Sequence, residues 1–433
     1  MLEPTPSVEI RGLMAELETL ASISEAAAPS KITAPHKVTA SSEIIAPVVT
    51  RVVFSNADLR ARAYVKDLCQ AAGLSIREDA VGNTFCRWAG SEPGLPAVAT
   101  GSHIDAIPNA GAYDGTVGVL GGLEAIRALQ RVGFQPRRSI ELVIFTAEEP
   151  TRFGIGCLGS RMMGGVLSPE QALALRDRDG RGLEELRTAA GFTGNLKTVA
   201  LASGHFHGFV ELHIEQGPLL EREGLDLGIV THIAAPASMR IAVEGEGGHA
   251  GAMLMPDRHD ALAAAAELIL ALEAAAKTTG VIDTVATVGV CEVFPGAVNS
   301  VPSRVLLETD IRDTDASRRD GVLASLRVAA EEIASRRGVR IGFKLINADP
   351  PATCDTGILQ AVQSATEQSG YTSKRMVSRA YHDSLFVARF APVAMIFIPC
   401  RGGVSHRPDE YASPEWIAAG VDVLARTLAV LAS

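Results

Sequence analysis

The sequence predicts an α/β fold: a mostly parallel sheet with helices on both faces, carrying an inserted smaller α+β domain of split β-α-β type. Three observations predict it. Short apolar runs alternate with helical stretches along most of the chain, the order that a parallel sheet requires. The length, 433 residues, exceeds what one hydrophobic core usually organises. Between about 235 and 346 the pattern changes to alternating strands around two strong helices.

Taken in order, residues 10 to 25 read as a helix, and residues 28 to 48, rich in Ala, Pro, Ser and Thr and containing His36, read as a surface loop or insertion. NADLRARAYVKDLCQAAG at 56 to 73 opens on capping residues, has apolar residues at helical spacing and closes on Gly. Then come the apolar run PAVATG before 102, a helix at 116 to 132, and the runs SIELVIFT at 139 to 146, FVELHI at 209 to 214 and VAMIFIPC at 393 to 400. In the distinct region ASMRIAVEGEG is a strand, DRHDALAAAAELILALEAAA a helix, TVATVGVCEV and SRVLLETDIRD strands, ASRRDGVLASLRVAAEEIASRRG a helix and VRIGFKLI a strand. The expected division is a main domain of residues 1–234 and 347–433 and an inserted domain of 235–346.

Composition narrows the function. Apolar residues at 47% and charged residues at 21% supply an ordinary globular core. A formal charge of −10 is the wrong sign for gripping phosphate backbones, so nucleic acid is not expected as a partner. No run is long and apolar enough to span a membrane and the start MLEPTPSVEI lacks the features of a secretion signal, so the expectation is a soluble, cytoplasmic chain with no membrane partner. Six scattered cysteines without a CxxC pair predict reduced, mostly buried thiols.

The chemistry-bearing residues gather at strand ends, where open α/β sheets bind their ligands. GSHIDAIPNAGAYDG at 101 to 115 delivers His103 and, after a Gly-rich loop, Asp114. FTAEEP delivers Glu148 and Glu149, which reach one site only if the chain turns there, and Pro150 makes such a turn reasonable. ELHIEQG ends a strand with His213, and GGVSHRPDE places His406 just beyond another. A lone strand-end histidine is more often a hydrogen-bonded structural residue and an Asp-Gly more often a turn. Imidazoles and carboxylates converging from four strand ends are harder to dismiss, and they suit borderline cations such as zinc and manganese, with a carboxylate able to bridge two ions.

These motifs resemble the metal-dependent amidohydrolases of the M20 peptidase family, with its zinc-peptidase-like catalytic domain, in the branch of N-carbamoyl-L-amino-acid, allantoate and ureidoglycolate amidohydrolases. The resemblance runs from about residue 50 to the end. EEPTRFGIGCLGSR at 148 to 161, IAAPASMRI at 233 to 241, SRAYHDSLF at 378 to 386 and IFIPCRGGVSH at 396 to 406 are most similar to the ureidoglycolate amidohydrolases. The resemblance implies that Asp114 bridges two divalent cations, manganese favoured and zinc or cobalt possible, with His103 and His213 on one ion and Glu149 and His406 on the other. Glu148 is then the general base, which agrees with the need for one carboxylate to stay off the metal and take a proton. Asp105 is expected to orient His103 from behind.

The same resemblance implies that GEGGHAGA, PGAVNSVP and TDIRD of the inserted domain, a lid and dimerisation domain, supply His249, Asn299 and Arg312. His249 is expected to stabilise the oxyanion across a homodimer interface, and Gln216 to contact a small ureido-acid substrate. Arg312 is a natural fork for its carboxylate, although a strand-edge arginine solvated or paired with Asp310 or Asp313 is the blander reading. His382 and Asp383, in the segment that distinguishes the branch, are expected on the substrate side and behind it. The implied activity is hydrolysis of (S)-ureidoglycolate to glyoxylate, ammonia and carbon dioxide in ureide and purine catabolism. Its rivals are the same chemistry on allantoate or an N-carbamoyl-L-amino acid and, more remotely, a non-catalytic metal-binding dimer.

Overall fold

The computed structural model describes residues 6–25 and 47–433. The expected loop at 28 to 48, with His36, lies almost wholly outside the described residues. The described residues form two compact units, one of residues 6–25, 47–231, 354–376 and 382–433, the other of residues 232–353 and 377–381. The second is wider than the expected 235–346 and takes in a short return segment after residue 376.

The nine-stranded sheet includes β1 (Ser75–Glu78), β2 (Thr84–Trp88), β3 (Ala97–His103), β4 (Ile140–Phe145), β5 (Phe206–Ile214), β6 (Leu227–Ile233) and β7 (Val393–Ile398), with the short strands Ala352–Thr353 and Ser373–Ser378 pairing on β6. The spatial order of the seven is β6-β7-β5-β3-β4-β2-β1. The four central strands β7, β5, β3 and β4 are parallel, while β6, β2 and β1 pair antiparallel at the two sides. Burial explains the difference: β3, β4 and β7 are buried along their whole length and read as continuous apolar runs, whereas β1 is exposed at three of its four residues. β1 and β2 have no run long enough to announce themselves in the sequence.

Helices cover both faces. Thr116–Arg131 and Pro414–Ala432 pack on one side, and Leu158–Met163 with Ser384–Val387 on the other. The close seat of Thr116–Arg131 depends on Gly118, where a Cβ would stand 2.4 Å from the Leu212 carbonyl oxygen in β5. That contact places the helix start, and the Asp114 loop before it, over the ends of β3 and β5.

The smaller unit is an antiparallel sheet in the order Val285–Phe294, Arg304–Asp313, Ala235–Glu244, Arg340–Ala348. Burial alternates residue by residue along Arg304–Asp313, so one face is covered and the other is not. The helices Ala261–Thr278 and Ala316–Arg337 cover it through Leu268, Leu272, Val322 and Leu326 against Met239, Ile241, Val243, Leu307 and Ile311. Five of the cysteines are buried and Cys291 is exposed. No described helix is long and apolar enough to cross a membrane.

Candidate metal centre

His103 is the last residue of β3, His213 the penultimate residue of β5, Glu148 and Glu149 follow β4, and His406 follows β7. All are at the carboxyl ends of the parallel strands. Asp114 sits among them with its two oxygens facing different partners. Oδ1 is 3.1 Å from His213 Nε2 and 3.7 Å from His103 Nε2. Oδ2 is 3.0 Å from His406 Nε2, which is itself 3.2 Å from Glu149 Oε1. The donors thus form two triads that share Asp114: His103, Asp114 and His213, and Asp114, Glu149 and His406.

Glu148 stays outside both triads, with Oε2 3.7 Å from His103 Nε2. The reversal that lets adjacent carboxylates enter one site occurs at Ala147, in the left-handed region with φ 54°, ahead of Pro150. Asp105 fixes that turn: its carboxylate accepts the backbone N–H of Glu148 at 3.2 Å and of Glu149 at 3.1 Å. Asp105 also meets the His103 imidazole, by its carbonyl oxygen 3.0 Å from Nδ1, with its carboxylate farther off at 3.8 Å. Each carboxylate oxygen of Asp105 is committed to one of those two amides, Oδ1 to Glu148 and Oδ2 to Glu149. His213 Nδ1 likewise meets a backbone carbonyl, that of Ile214, at 2.9 Å.

Four of the six described non-glycine residues at positive φ, Ala147, Cys157, Gln216 and His406, lie in this cluster. Each costs on the order of 1–3 kcal/mol, a strain that persists only where the surrounding structure over-determines it. Electrostatics point the same way. Burial pushes the Asp114 carboxyl up, but the imidazoles of His103, His213 and His406 facing it overcome that and hold it well below its ordinary value. The carboxylates of Asp114 and Glu149, both accepting from the His406 imidazole, raise it to about 11. Burial, reinforced by Glu149, Asp383 and Asp105, raises Glu148 well above the usual carboxylate range despite His103.

This donor set fits divalent cations. Three imidazoles and two carboxylates, held from behind by backbone carbonyls and amides, are a set that would exchange protons for a cation. Gln216 donates Nε2 to Asp114 Oδ2 at 2.9 Å, and its buried Oε1 has no hydrogen-bond partner among the described residues.

Residues 99–430 match the family model described as peptidase family M20/M25/M40. The chain belongs to this family. It is similar to the ureidoglycolate hydrolase of Arabidopsis thaliana, 51% identical over 432 residues that cover 98% of this chain and 87% of the relative. The ureidoglycolate hydrolase of Oryza sativa subsp. japonica is 52% identical over 431 residues, 98% of this chain and 85% of the relative. The crystal structure of AtUAH in complex with glyoxylate superposes with a TM-score of 0.88 at 50% identity over 99% of both chains.

In this member of the M20/M25/M40 family several supporting residues escaped the sequence reading. Glu410 is buried and accepts the N–H groups of Tyr113 at 2.8 Å and Asp114 at 3.0 Å. The Ser405 hydroxyl stands between Glu410 Oε2, at 2.9 Å, and Asp114 Oδ2, at 3.0 Å. Burial and the Asp114 charge push Glu410 up to about 7. Behind the site Glu211 accepts from Ser102 at 2.8 Å and from Ser384 at 2.5 Å, and the Cys157 thiol donates to Glu148 Oε1 at 3.3 Å. Ser405 and Glu410 flank His406 in SHRPDE, but a serine and a glutamate in a polar loop carry no periodic signal.

Of the residues expected on the substrate side, His382 is buried with its ring edge-on to His213, centroids 4.5 Å apart, and near Phe397. Asp383 is buried too and accepts from Ser160 at 2.5 Å. In the smaller unit Gly248–His249 pairs with Ser300–Val301, which sets His249 beside Asn299, both exposed. Arg312 is gripped by Asp310, with Nη2 2.7 Å from Oδ2, and lies over the Tyr381 ring at 5.0 Å. Asp313, the other expected partner, is taken by Arg318.

Proposed function

We propose that this protein hydrolyses the ureido C–N bond of (S)-ureidoglycolate, giving glyoxylate, ammonia and carbon dioxide, at a centre holding two divalent cations per subunit. The observation that carries the reading is Asp114, whose two oxygens each face a separate pair of donors. The similarity to ureidoglycolate hydrolases of Arabidopsis and rice supports the substrate. Manganese is favoured, since a mixed imidazole and carboxylate set is hard to borderline, and zinc or cobalt satisfies the same donors. Cations held there acidify a water and polarise the ureido carbonyl.

On this reading His103 and His213 hold one cation, Glu149 and His406 the other, and Asp114 both. Glu148 takes the proton of the attacking water and returns it to the leaving nitrogen, and its raised proton affinity, caused by burial, suits it to carry that proton between the two steps. Asp105 keeps Glu148 and Glu149 in register by their amides. Gln216 offers its unpartnered Oε1 to a substrate N–H. Arg312 and Asn299 bind the substrate carboxylate, which replaces Asp310 on the Arg312 fork, and His249 stabilises the oxyanion from the partner subunit of a homodimer. The exposed apolar residues Leu254, Met255 and Val298, close in sequence to His249 and Asn299, support a second copy covering that ribbon.

The test is ammonia release by manganese-loaded protein on ureidoglycolate, allantoate, ureidoglycine, N-carbamoyl-β-alanine and N-carbamoyl-L-amino acids. A preference of about tenfold or more in kcat/KM for ureidoglycolate, about 1.4 kcal/mol of transition-state discrimination, is expected. Preference for another member would keep the centre and remove the substrate, and silence on all of them would remove both.

A further inference from the structure

Arg152 lies three residues after Glu149 and is not part of the metal centre. Its side chain is only 12% exposed, yet its Nε is buried without a hydrogen-bond partner. The one ion pair it makes among the described residues is with Asp177 at 3.6 Å, and Asp177 is already committed to Arg181 at 2.8 Å. A buried guanidinium N–H without an acceptor is costly, and a partner that meets it while matching the planar fork is an oxyanion.

The surroundings fit such a partner. Two cavities, of about 700 Å³ and about 510 Å³, both reach Arg152, Arg181 and Glu25, so they meet at the two guanidinium groups. Arg176 and Arg178 also line the larger one, so that four arginines face three carboxylates there, in a chain whose net charge is −10. A local positive surplus on an acidic protein draws small anions to that spot. None of the proposed metal ligands lines either cavity.

We infer that the meeting point of these cavities is a binding site for a small oxyanion, a carboxylate or a phosphate, with Arg152 at its base and Arg178 and Arg181 at its rim. Only Pro150 and Thr151 separate Arg152 from Glu149, so an occupant also restrains the loop that carries Glu148 and Glu149.

Calorimetric titration of the full-length, chelator-treated protein with inorganic phosphate and separately with malonate, at constant ionic strength, tests this. Chelation is needed because a resident cation binds both anions. The expected result is saturable binding of at least one anion that Arg152→Gln weakens by about tenfold or more. Phosphate alone or malonate alone identifies which oxyanion the site takes. If Arg152→Gln does not fold, Arg181→Gln at the exposed rim is expected to weaken the same binding with the melting temperature unchanged. No saturable binding of either anion up to about 10 mM, or binding unaltered in the folded variants, overturns the inference.

Discussion

Gly115→Ala puts the geometry of the centre to a quantitative test. Gly115 precedes the helix Thr116–Arg131 with φ 67°, and a Cβ added there would stand 2.5 Å from both Cδ2 and Nε2 of His103. The backbone conformation alone costs an L-residue about 1–2 kcal/mol, offset by about 0.4–1 kcal/mol from reduced freedom of the unfolded chain. The contact is the larger effect. Carbon atoms rest about 3.5–4.0 Å apart, so the imidazole must retreat by roughly 1 Å, and a displacement of that size near reacting groups can lower the rate about 10²-fold. Gly133 supplies the control, because it has φ 72° with nothing within 4 Å of its added Cβ. Both variants should lose about 1 kcal/mol in thermal or denaturant unfolding from the backbone term, with a further loss in Gly115→Ala. Only Gly115→Ala should lose about 10²-fold in kcat/KM for ammonia release. Activity of Gly115→Ala within about twofold of wild type would refute the placement of His103 against this loop.

Other expectations are as direct. Glu148→Gln should lower kcat by about 10²–10⁴-fold with the cation content unchanged, and mixing it with His249→Ala subunits should restore some activity once subunit exchange is proven; lost cation binding would instead make Glu148 a ligand. Glu410→Gln keeps an acceptor for the Tyr113 and Asp114 amides but removes the charge, so manganese should bind about 10–100-fold more weakly in a direct titration, and equal affinity would remove Glu410 from the account. In the smaller unit, hydrogen bonds from Arg336 and then Arg337 lower the Glu267 pKa from 4.5 to about 2. A depressed folded-state pKa stabilises above the unfolded value, so the advantage of wild type over Glu267→Gln should be constant above about pH 5 and vanish as pH falls from 4.5 to about 2. This pair is partly solvated, so the difference should stay near about 0.5–1 kcal/mol, and a difference independent of pH would contradict the ion-pair account.

What could be read from sequence followed burial. The strands that carry His103, Glu148, Glu149, His213 and His406 are buried along almost their whole length and each contains a short apolar run, so the strands and the ends from which these residues project are visible in the sequence. The antiparallel edge strands Ser75–Glu78 and Thr84–Trp88 were not visible, because one is exposed and the other is only five residues long. The turn that brings two adjacent glutamates into one site was expected at Pro150, where the covalent constraint is obvious. It lies at Ala147, whose left-handed conformation is held by tertiary hydrogen bonds that the next two amides donate to the Asp105 carboxylate. Glu410 shows the same limit: its role is to hold Tyr113 and Asp114, some three hundred residues away in the chain, and no local pattern encodes such a contact.

If Asp114 bridges two cations, activity should return in a fixed stoichiometry as chelator-stripped protein is titrated with manganese. Ammonia and glyoxylate should be released together from ureidoglycolate, with activity reaching its plateau at two ions per chain and Asp114→Asn failing to recover at any ratio. A plateau at one ion per chain, or turnover by the stripped protein itself, would contradict the account.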